Sequence, residues 1–94
     1  MDRQRIDKWL WHARVVRTRA AAASLADAGH VRINGVRAAG ASRPVHVGDV
    51  LTIALDRNVR IMRVLDFSER RGPASEAARL FENVKDDGPS VALT

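Results

Sequence analysis

Apolar residues near the start of the chain recur at helical spacing. Four of them occupy the i, i+3, i+4 and i+7 positions of one helix face: Ile6, Trp9, Leu10 and Ala13. This pattern predicts a first helix over residues 3–15 with one apolar face. Arg5, Lys8 and His12 fall on roughly the opposite face, because successive residues turn by about 100° around a helix. The first helix is therefore expected to pack on a core and to offer cations to solvent.

A second helix is predicted from Arg19 to Ala28, where most residues are alanine. Thr18 is a good N-cap, because its hydroxyl can accept a hydrogen bond from a free N–H of the first turn. Gly29 can adopt the left-handed conformation that ends a helix. Arg17 and Arg19 flank the cap, although a helix N-terminus favours acidic residues. Free N–H groups and two guanidiniums predict an anion site, with phosphate as the expected anion. Two solvated arginines beside an ordinary cap are the alternative.

After Gly29 the pattern changes from helical spacing to strict alternation. Val31 and Ile33 share one face, and the Asn34-Gly35 pair that follows is typical of a tight hairpin. Val36 is predicted to continue the apolar face of this hairpin. Further strands are predicted over residues 50–55 and 59–67, separated by a polar turn.

The segment from Ser75 to Val84 predicts another helix. Ser75 is its expected N-cap, and four apolar residues again follow the helical spacing: Ala77, Leu80, Phe81 and Val84. These elements predict an α+β fold in one domain over residues 1–84. Residues 85–94 are expected to form a mobile tail.

Composition narrows the class of protein. The chain has 94 residues, of which 46% are hydrophobic but only 4% aromatic, so a small aliphatic core is expected. Cysteine is absent, which excludes disulfides and thiolate metal sites and suits a cytoplasmic protein. No apolar run approaches the roughly 18 residues of a membrane span, and the charged N-terminus does not resemble a signal peptide.

The charge is unevenly distributed. Residues 1–43 hold nine Lys and Arg against three acidic residues, a net charge of +6, whereas residues 44–94 carry a net charge of −1. Eight of those nine cations are arginines, which grip phosphate better than lysine. The first half of the chain therefore predicts a polyanionic partner.

Residue patterns that indicate catalysis or cofactor binding are missing. His12, His30 and His46 do not have the spacing of metal ligands, and the acidic residues are scattered over turn and flanking positions. The glycines form no phosphate-binding loop. We therefore expect no enzymatic activity, no metal and no cofactor.

Five segments, taken in order, resemble the S-four RNA-binding domain family, also called the αL motif. They are Arg5 to Leu10, Arg17-Thr18-Arg19, Ala28 to Gly35, Arg43-Pro44 and Val47 to Leu51. The resemblance covers residues 4–54. Within this family, Trp9 to Arg14 and Glu69 to Ala74 resemble the stand-alone, ribosome-associated branch of heat shock protein fifteen.

The resemblance implies a fold, a partner and a set of contact residues. The fold is two helices packed on a small, bent, mainly antiparallel sheet. The partner is structured RNA, either ribosomal RNA or tRNA on the large ribosomal subunit, including subunits blocked by peptidyl-tRNA during stress. A cytoplasmic monomer is expected. The implied RNA contacts are Arg5, Lys8, Arg17, Thr18, Arg19, Arg32 and Asn34, with Arg14, Arg37 and Arg43 at the periphery.

Three alternatives remain at this point. A DNA-binding helix-turn-helix would need base-reading side chains on its second helix, but residues 20–28 are nearly all alanine. An accessory RNA-binding subunit of an RNA-modifying enzyme fits the family but lacks a catalytic domain in this chain. A protein–protein adaptor fits the second half of the chain but not the cationic first half.

Overall fold

A computed structural model of the protein describes residues 2–84; the predicted tail at 85–94 lies outside this range. The described chain is α+β, as predicted. Its helices are α1 (Ile6–His12), α2 (Arg19–Asp27) and α3 (Ala74–Ala77). Its strands are β1 (Arg3–Arg5), β2 (Val31–Ile33), β3 (Val36–Arg37), β4 (Pro44–His46), β5 (Val50–Ala54), β6 (Val59–Val64) and β7 (Phe81–Asn83).

Two antiparallel sheets organise these strands. The larger sheet has the order β3-β2-β5-β6-β7, and the smaller one pairs β1 with β4. In the larger sheet Ile33, Leu51 and Met62 stand side by side on one face, and all three are buried. The alternation predicted for β2 and β5 is therefore confirmed, and this face forms the floor of the core.

Helix α1 supplies the centre of the core. Ile6, Trp9 and Leu10 are completely buried, which confirms the predicted apolar face. The indole N–H of Trp9 donates to the carbonyl of Asp66 at 3.1 Å, so its one polar group is satisfied. The small side chains of Ala22 and Ala26 are buried on α2 and let the two helices approach closely.

The prediction of one helix over residues 3–15 is wrong at both ends. Arg3–Arg5 is extended and pairs with β4, because the backbone of Pro44–His46 offers it a ladder that a helix would leave unpaired. At the other end, Arg14 adopts a left-handed φ of 61°, which terminates α1. Neither β1 nor β4 has a local pattern long enough to be recognised from sequence.

The Asn34-Gly35 hairpin is confirmed. Both residues have positive φ, 52° and 83°, as a type I′ turn requires. Val36 stands opposite Ile33 as expected, but it is 70% exposed because β3 is the edge strand and nothing covers it. The prediction that Val36 continues the buried face is therefore wrong.

The predicted final helix is much shorter than expected. It covers only Ala74–Ala77, and its N-cap is Pro73, without a side-chain capping bond, rather than Ser75. Phe81–Asn83 forms β7 instead and pairs with β6. The open edge of β6 offers backbone hydrogen bonds to this segment, and that tertiary pairing overrides a helical spacing of only four residues. Strand β6 likewise ends at Val64 rather than continuing to residue 67.

Candidate nucleic-acid interface

The N-terminus of α2 has the geometry expected of an anion site. The Thr18 hydroxyl accepts from the Ala21 N–H at 3.0 Å, which confirms the predicted N-cap. Thr18 satisfies only one of the donors that a helix start leaves unpaired, so others remain for an anion. The nine residues of α2 include no acidic residue in the first turn, so the positive end of the helix dipole is not neutralised from within.

A buried carboxylate organises the arginines beside this N-terminus. The Asp7 side chain is 4% exposed and accepts two bonds from Arg5, at 3.2 and 3.0 Å. The Nε of Arg19 lies 3.6 Å from the same carboxylate. Asp7 therefore fixes both guanidiniums, which remain about half exposed toward solvent. Arg5 is only two residues from Asp7, but Arg19 is twelve residues from it, so the local pattern does not indicate that one carboxylate holds both.

Two more cations complete the surface. Within residues 2–84, the side chains of Lys8 and Arg17 make no hydrogen bond and no ion pair. The prediction that Arg5 shares a helix face with Lys8 is wrong, because Arg5 lies at the end of β1. We call the surface formed around Asp7 the cationic face; its members are Arg5, Lys8, Arg17, Thr18 and Arg19.

His12 lies beneath the cationic face. It is 1% exposed, and its Nδ1 is 2.9 Å from the carbonyl of Ser68. Burial lowers the pKa of His12, the hydrogen bond to Ser68 raises it, and the charges of Lys8 and Arg19 lower it further. His12 is therefore neutral near pH 7 and donates its Nδ1–H to Ser68. It packs the helix and adds no charge.

The hairpin arginines form a separate group. Arg32 and Arg37 are direct cross-strand neighbours, and Arg32 donates to the carbonyl of Gly35 at 3.4 Å. The guanidinium of Arg37 lies against Gly29, at the C-terminal end of α2. Arg17 and Arg19 are at the other end of this helix, which is about 13 Å long at the usual rise per residue. The structure thus holds two cationic groups at opposite ends of α2.

Asn34 is engaged within the protein. Its amide nitrogen donates to Asp49 at 3.0 Å, and its amide oxygen accepts from the Val50 N–H at 2.9 Å. The side chain therefore fixes the hairpin tip to the start of β5. Its role as an RNA contact stays a prediction, and only an N–H not used by Asp49 is left for it.

The peripheral residues have different surroundings. Arg43 is exposed and lies beside the cationic face, since its carbonyl accepts from the Ile6 N–H at 2.8 Å. Arg14 instead donates from Nε to the carbonyl of Gly72 at 2.8 Å. Its guanidinium is thus directed to the C-terminal part of the chain.

Residues 66–72, which we call the strap, are hydrogen-bonded to α1 and to the residues on either side of it. Strap carbonyls accept hydrogen bonds from four side chains of the first fourteen residues: Gln4, Trp9, His12 and Arg14. Arg71 of the strap donates in the other direction, to carbonyls of Trp11 and Val16. These contacts join residues 55 to 64 positions apart, so no local sequence pattern indicates them.

The described part of the chain holds neither a candidate metal site nor a candidate membrane span. Residues 2–84 contain no group of three or more acidic, histidine or cysteine side chains arranged to hold a metal ion. Among the same residues, no helix combines the length and apolar character needed to cross a membrane.

Comparison with known proteins identifies related chains. Residues 4–51 match the S4 domain family. Heat shock protein 15 of Escherichia coli strain K12 is 42% identical over 78 residues, and the Haemophilus influenzae homologue is 33% identical over 81. These matches cover 83% and 86% of this chain but 58% and 61% of the relatives, so the chain spans about three fifths of their length.

A solved structure extends the likeness to the fold. Heat shock protein 15 of Vibrio cholerae superimposes with a TM-score of 0.81 at 32% identity, covering 88% of this chain and 83% of the other. That structure is described as trimeric, which conflicts with the monomer expected from the sequence. Heat shock protein 15 is a non-catalytic RNA-binding protein, in agreement with the expectation that this chain is not an enzyme. The chain belongs to the S4 RNA-binding domain family and is a homologue of heat shock protein 15.

Proposed function

We propose that the protein binds structured RNA through the cationic face, and that this RNA is ribosomal RNA or tRNA on the large ribosomal subunit. The observation that carries the proposal is the arginine pair oriented by buried Asp7 beside the capped N-terminus of α2. A phosphate held there meets guanidinium and backbone N–H donors that are already in position.

The mechanism follows from the chemistry of the face. Arg17 and Lys8 have free side chains and attract phosphates from solution, whereas Arg5 and Arg19 are held in place by Asp7. Contacts to phosphate carry little sequence information, so the spacing of phosphates in a folded RNA selects the site. The hairpin group around Arg32 and Arg37 provides a second contact on the far side of α2.

A role in stress is supported by similarity to proteins named for heat shock. Recycling or rescue of blocked subunits rests on the resemblance of the sequence to the ribosome-associated branch of the family. A cytoplasmic location is part of the same proposal. The trimer described for the Vibrio cholerae relative makes self-association the state to expect for this chain. Size-exclusion chromatography with light scattering measures it directly, and a monomeric mass at high concentration contradicts it.

A helix-turn-helix that reads DNA is less well supported. The described α2 buries Ala22 and Ala26 against α1. Its other positions are three alanines, Leu25, Arg19 at the start, and the short polar residues Ser24 and Asp27. A recognition helix needs longer polar side chains to reach base edges. The arginines lie at the ends of α2 and not along it.

Binding assays test the proposal at the level of the face. Arg17→Ala and Lys8→Ala are expected to weaken binding of a structured ribosomal RNA fragment by about 1–3 kcal/mol. Each should also reduce the salt dependence of binding by about one phosphate contact. Arg57→Ala, an exposed arginine in the turn after β5, is the matched control and should bind like the parent. Arg19→Ala is less suitable, because it also removes a partner of Asp7.

Sedimentation tests the proposal at the level of the ribosome. The protein is expected to migrate with large subunits in a sucrose gradient of lysate, and Arg17→Ala should shift it toward the top. A free pool that RNase does not change contradicts the ribosomal assignment. Equal affinity for the RNA fragment and its DNA counterpart contradicts recognition of RNA shape.

A further inference from the structure

The guanidinium of Arg71 bridges the two ends of the connector between α1 and α2. Its Nε donates to the carbonyl of Trp11 at 3.1 Å, and its terminal nitrogen donates to the carbonyl of Val16 at 3.3 Å. Trp11 belongs to the last turn of α1, and Val16 immediately precedes Arg17 of the cationic face. One half-buried side chain thus connects the strap to the backbone that leads into the proposed RNA site.

The connector itself has a conformation that needs external support. Arg14, at its start, has a φ of 61°, which residues other than glycine rarely adopt. Its Nε donates to Gly72, the residue after Arg71, at 2.8 Å. Two arginines therefore form hydrogen bonds in opposite directions between the connector and the strap, and the connector is held at both of its ends.

The contacts of Arg71 are those of a structural donor. In the described chain it forms no ion pair, and its two bonded nitrogens face backbone carbonyls. The Trp11 carbonyl lies at the C-terminal end of α1, where a cation is favourable. Its neighbour Arg70 is 70% exposed and pairs with Glu76 at 3.3 Å. The two adjacent arginines therefore differ in role: Arg71 holds backbone carbonyls, whereas Arg70 forms a surface ion pair.

We propose that Arg71 is a positioning residue for RNA binding. By holding the carbonyl of Val16, it fixes the backbone on which Arg17 and the Thr18 cap are presented. A fixed backbone lowers the entropy lost when phosphate binds. Lysine cannot replace it, because a single ammonium does not reproduce the two-armed geometry of a guanidinium. The proposal rests on the proposed function of the cationic face.

Three variants test it: Arg71→Met, Arg71→Lys and the matched control Arg70→Met. Binding of a structured ribosomal RNA fragment is measured over a range of salt concentrations. Arg71→Met and Arg71→Lys are both expected to bind about tenfold more weakly, with the salt dependence of the parent, because no phosphate contact is lost. Arg70→Met is expected to retain parental affinity. Arg71→Lys keeps the charge, so it remains informative if Arg71→Met does not fold.

Amide hydrogen exchange provides a readout that does not depend on RNA. The N–H groups of Arg14 and Val15 are bonded to Trp11 and Leu10, and they should exchange faster in both Arg71 variants but not in Arg70→Met. The positioning role is overturned if Arg71→Met binds RNA with parental affinity. It is also overturned if Arg71→Lys binds like the parent while Arg71→Met shows a smaller salt dependence, because Arg71 would then act through its charge. If the parent does not bind RNA, the proposed function fails. If amide exchange is unchanged in the Arg71 variants, Arg71 does not support the connector, whatever the result of the RNA assay.

Discussion

The two N-terminal helices end with the same backbone geometry but with different residues. Helix α1 ends at Arg14 with a φ of 61°, and α2 ends at Gly29 with a φ of 84°. At both ends, the backbone N–H groups of the left-handed residue and of the next residue donate to two carbonyls of the last helical turn. In α1 the bonds run from Arg14 to Trp11 and from Val15 to Leu10, and in α2 from Gly29 to Ala26 and from His30 to Leu25. Both are Schellman motifs, in which glycine is the usual left-handed residue.

The difference lies in what surrounds each left-handed residue. A Cβ at Gly29 would lie 2.2 Å from the guanidinium of Arg37, so that guanidinium would have to move to make room for it. At Arg14 the side chain has room and donates to Gly72. A non-glycine residue in this conformation costs about 1–2 kcal/mol, and the hydrogen bond offsets part of that cost. One helix end thus uses glycine for close packing, whereas the other accepts strain to attach the strap.

The largest effect is expected for Gly29→Ala. The variant should lose about 2 kcal/mol of unfolding free energy, because alanine is strained at this φ and displaces Arg37. Gly40→Ala is the matched control, since Gly40 is not left-handed and its Cβ would have only Asp27 nearby, at 3.4 Å. Urea denaturation of both variants measures the difference. Equal stability of the two would mean that Gly29 is not needed to end α2.

Asn34→Gly extends the comparison to Asn34, which within residues 2–84 is the other left-handed residue that is not glycine. Glycine keeps the turn geometry but removes the bonds to Asp49 and Val50. We expect a loss of about 1–2 kcal/mol of unfolding free energy, the usual value of two partly exposed hydrogen bonds. If RNA affinity also falls beyond the effect on folding, Asn34 belongs to the contact set; if affinity is parental, it does not.

Substitutions at Arg14 are expected to have smaller and opposed effects. Arg14→Ala keeps the strain and loses the bond to Gly72, so it should destabilise by about 1 kcal/mol. Arg14→Gly loses the same bond but relieves the strain, so it should be at least as stable as the parent. Thermal unfolding of the two variants separates the cost of the strained backbone from the contribution of the hydrogen bond. If Arg14→Gly is less stable than Arg14→Ala, strain at this helix end is not the controlling quantity.

The smallest effect is expected from pH, at the last residue of α1. Burial lowers the pKa of His12 below its ordinary value, so the unfolded chain binds its proton more readily than the folded chain does. The contribution of neutral His12 is therefore fully present above the ordinary pKa of about 6.5 and is lost as the pH falls below it. Urea denaturation at pH 7.5 and pH 5.5 measures this loss, and His12→Gln should reduce it. An unchanged pH dependence in His12→Gln would assign the effect to other groups.

Sequence patterns predicted the parts of the fold that are set by neighbouring residues. Thr18, Gly29 and the Asn34-Gly35 pair each specify a backbone conformation within a few positions, and all were confirmed. The pairing of Arg3–Arg5 with Pro44–His46 was missed, because short strands carry too few alternating residues to be recognised.

The candidate site shows the same limit. Charge and capping identified Arg17 and Arg19 as cations near a helix start, which is a property of the local sequence. Asp7 holds Arg5, which is two residues away, together with Arg19, which only the folded chain brings to it. Arg71 depends on a contact across 55 to 60 residues, for which a single sequence contains no indication.

The long reach of the strap has a consequence for the order in which the protein is assembled. Helix α1 has only seven residues, and an isolated helix shorter than about 12 residues is marginal in water. Its hydrogen bonds to the strap become available only after residues 66–72 have been synthesised. During translation, α1 is therefore made well before the segment that holds it. A nascent chain that lacks the strap carries the arginines of the cationic face without these supporting contacts.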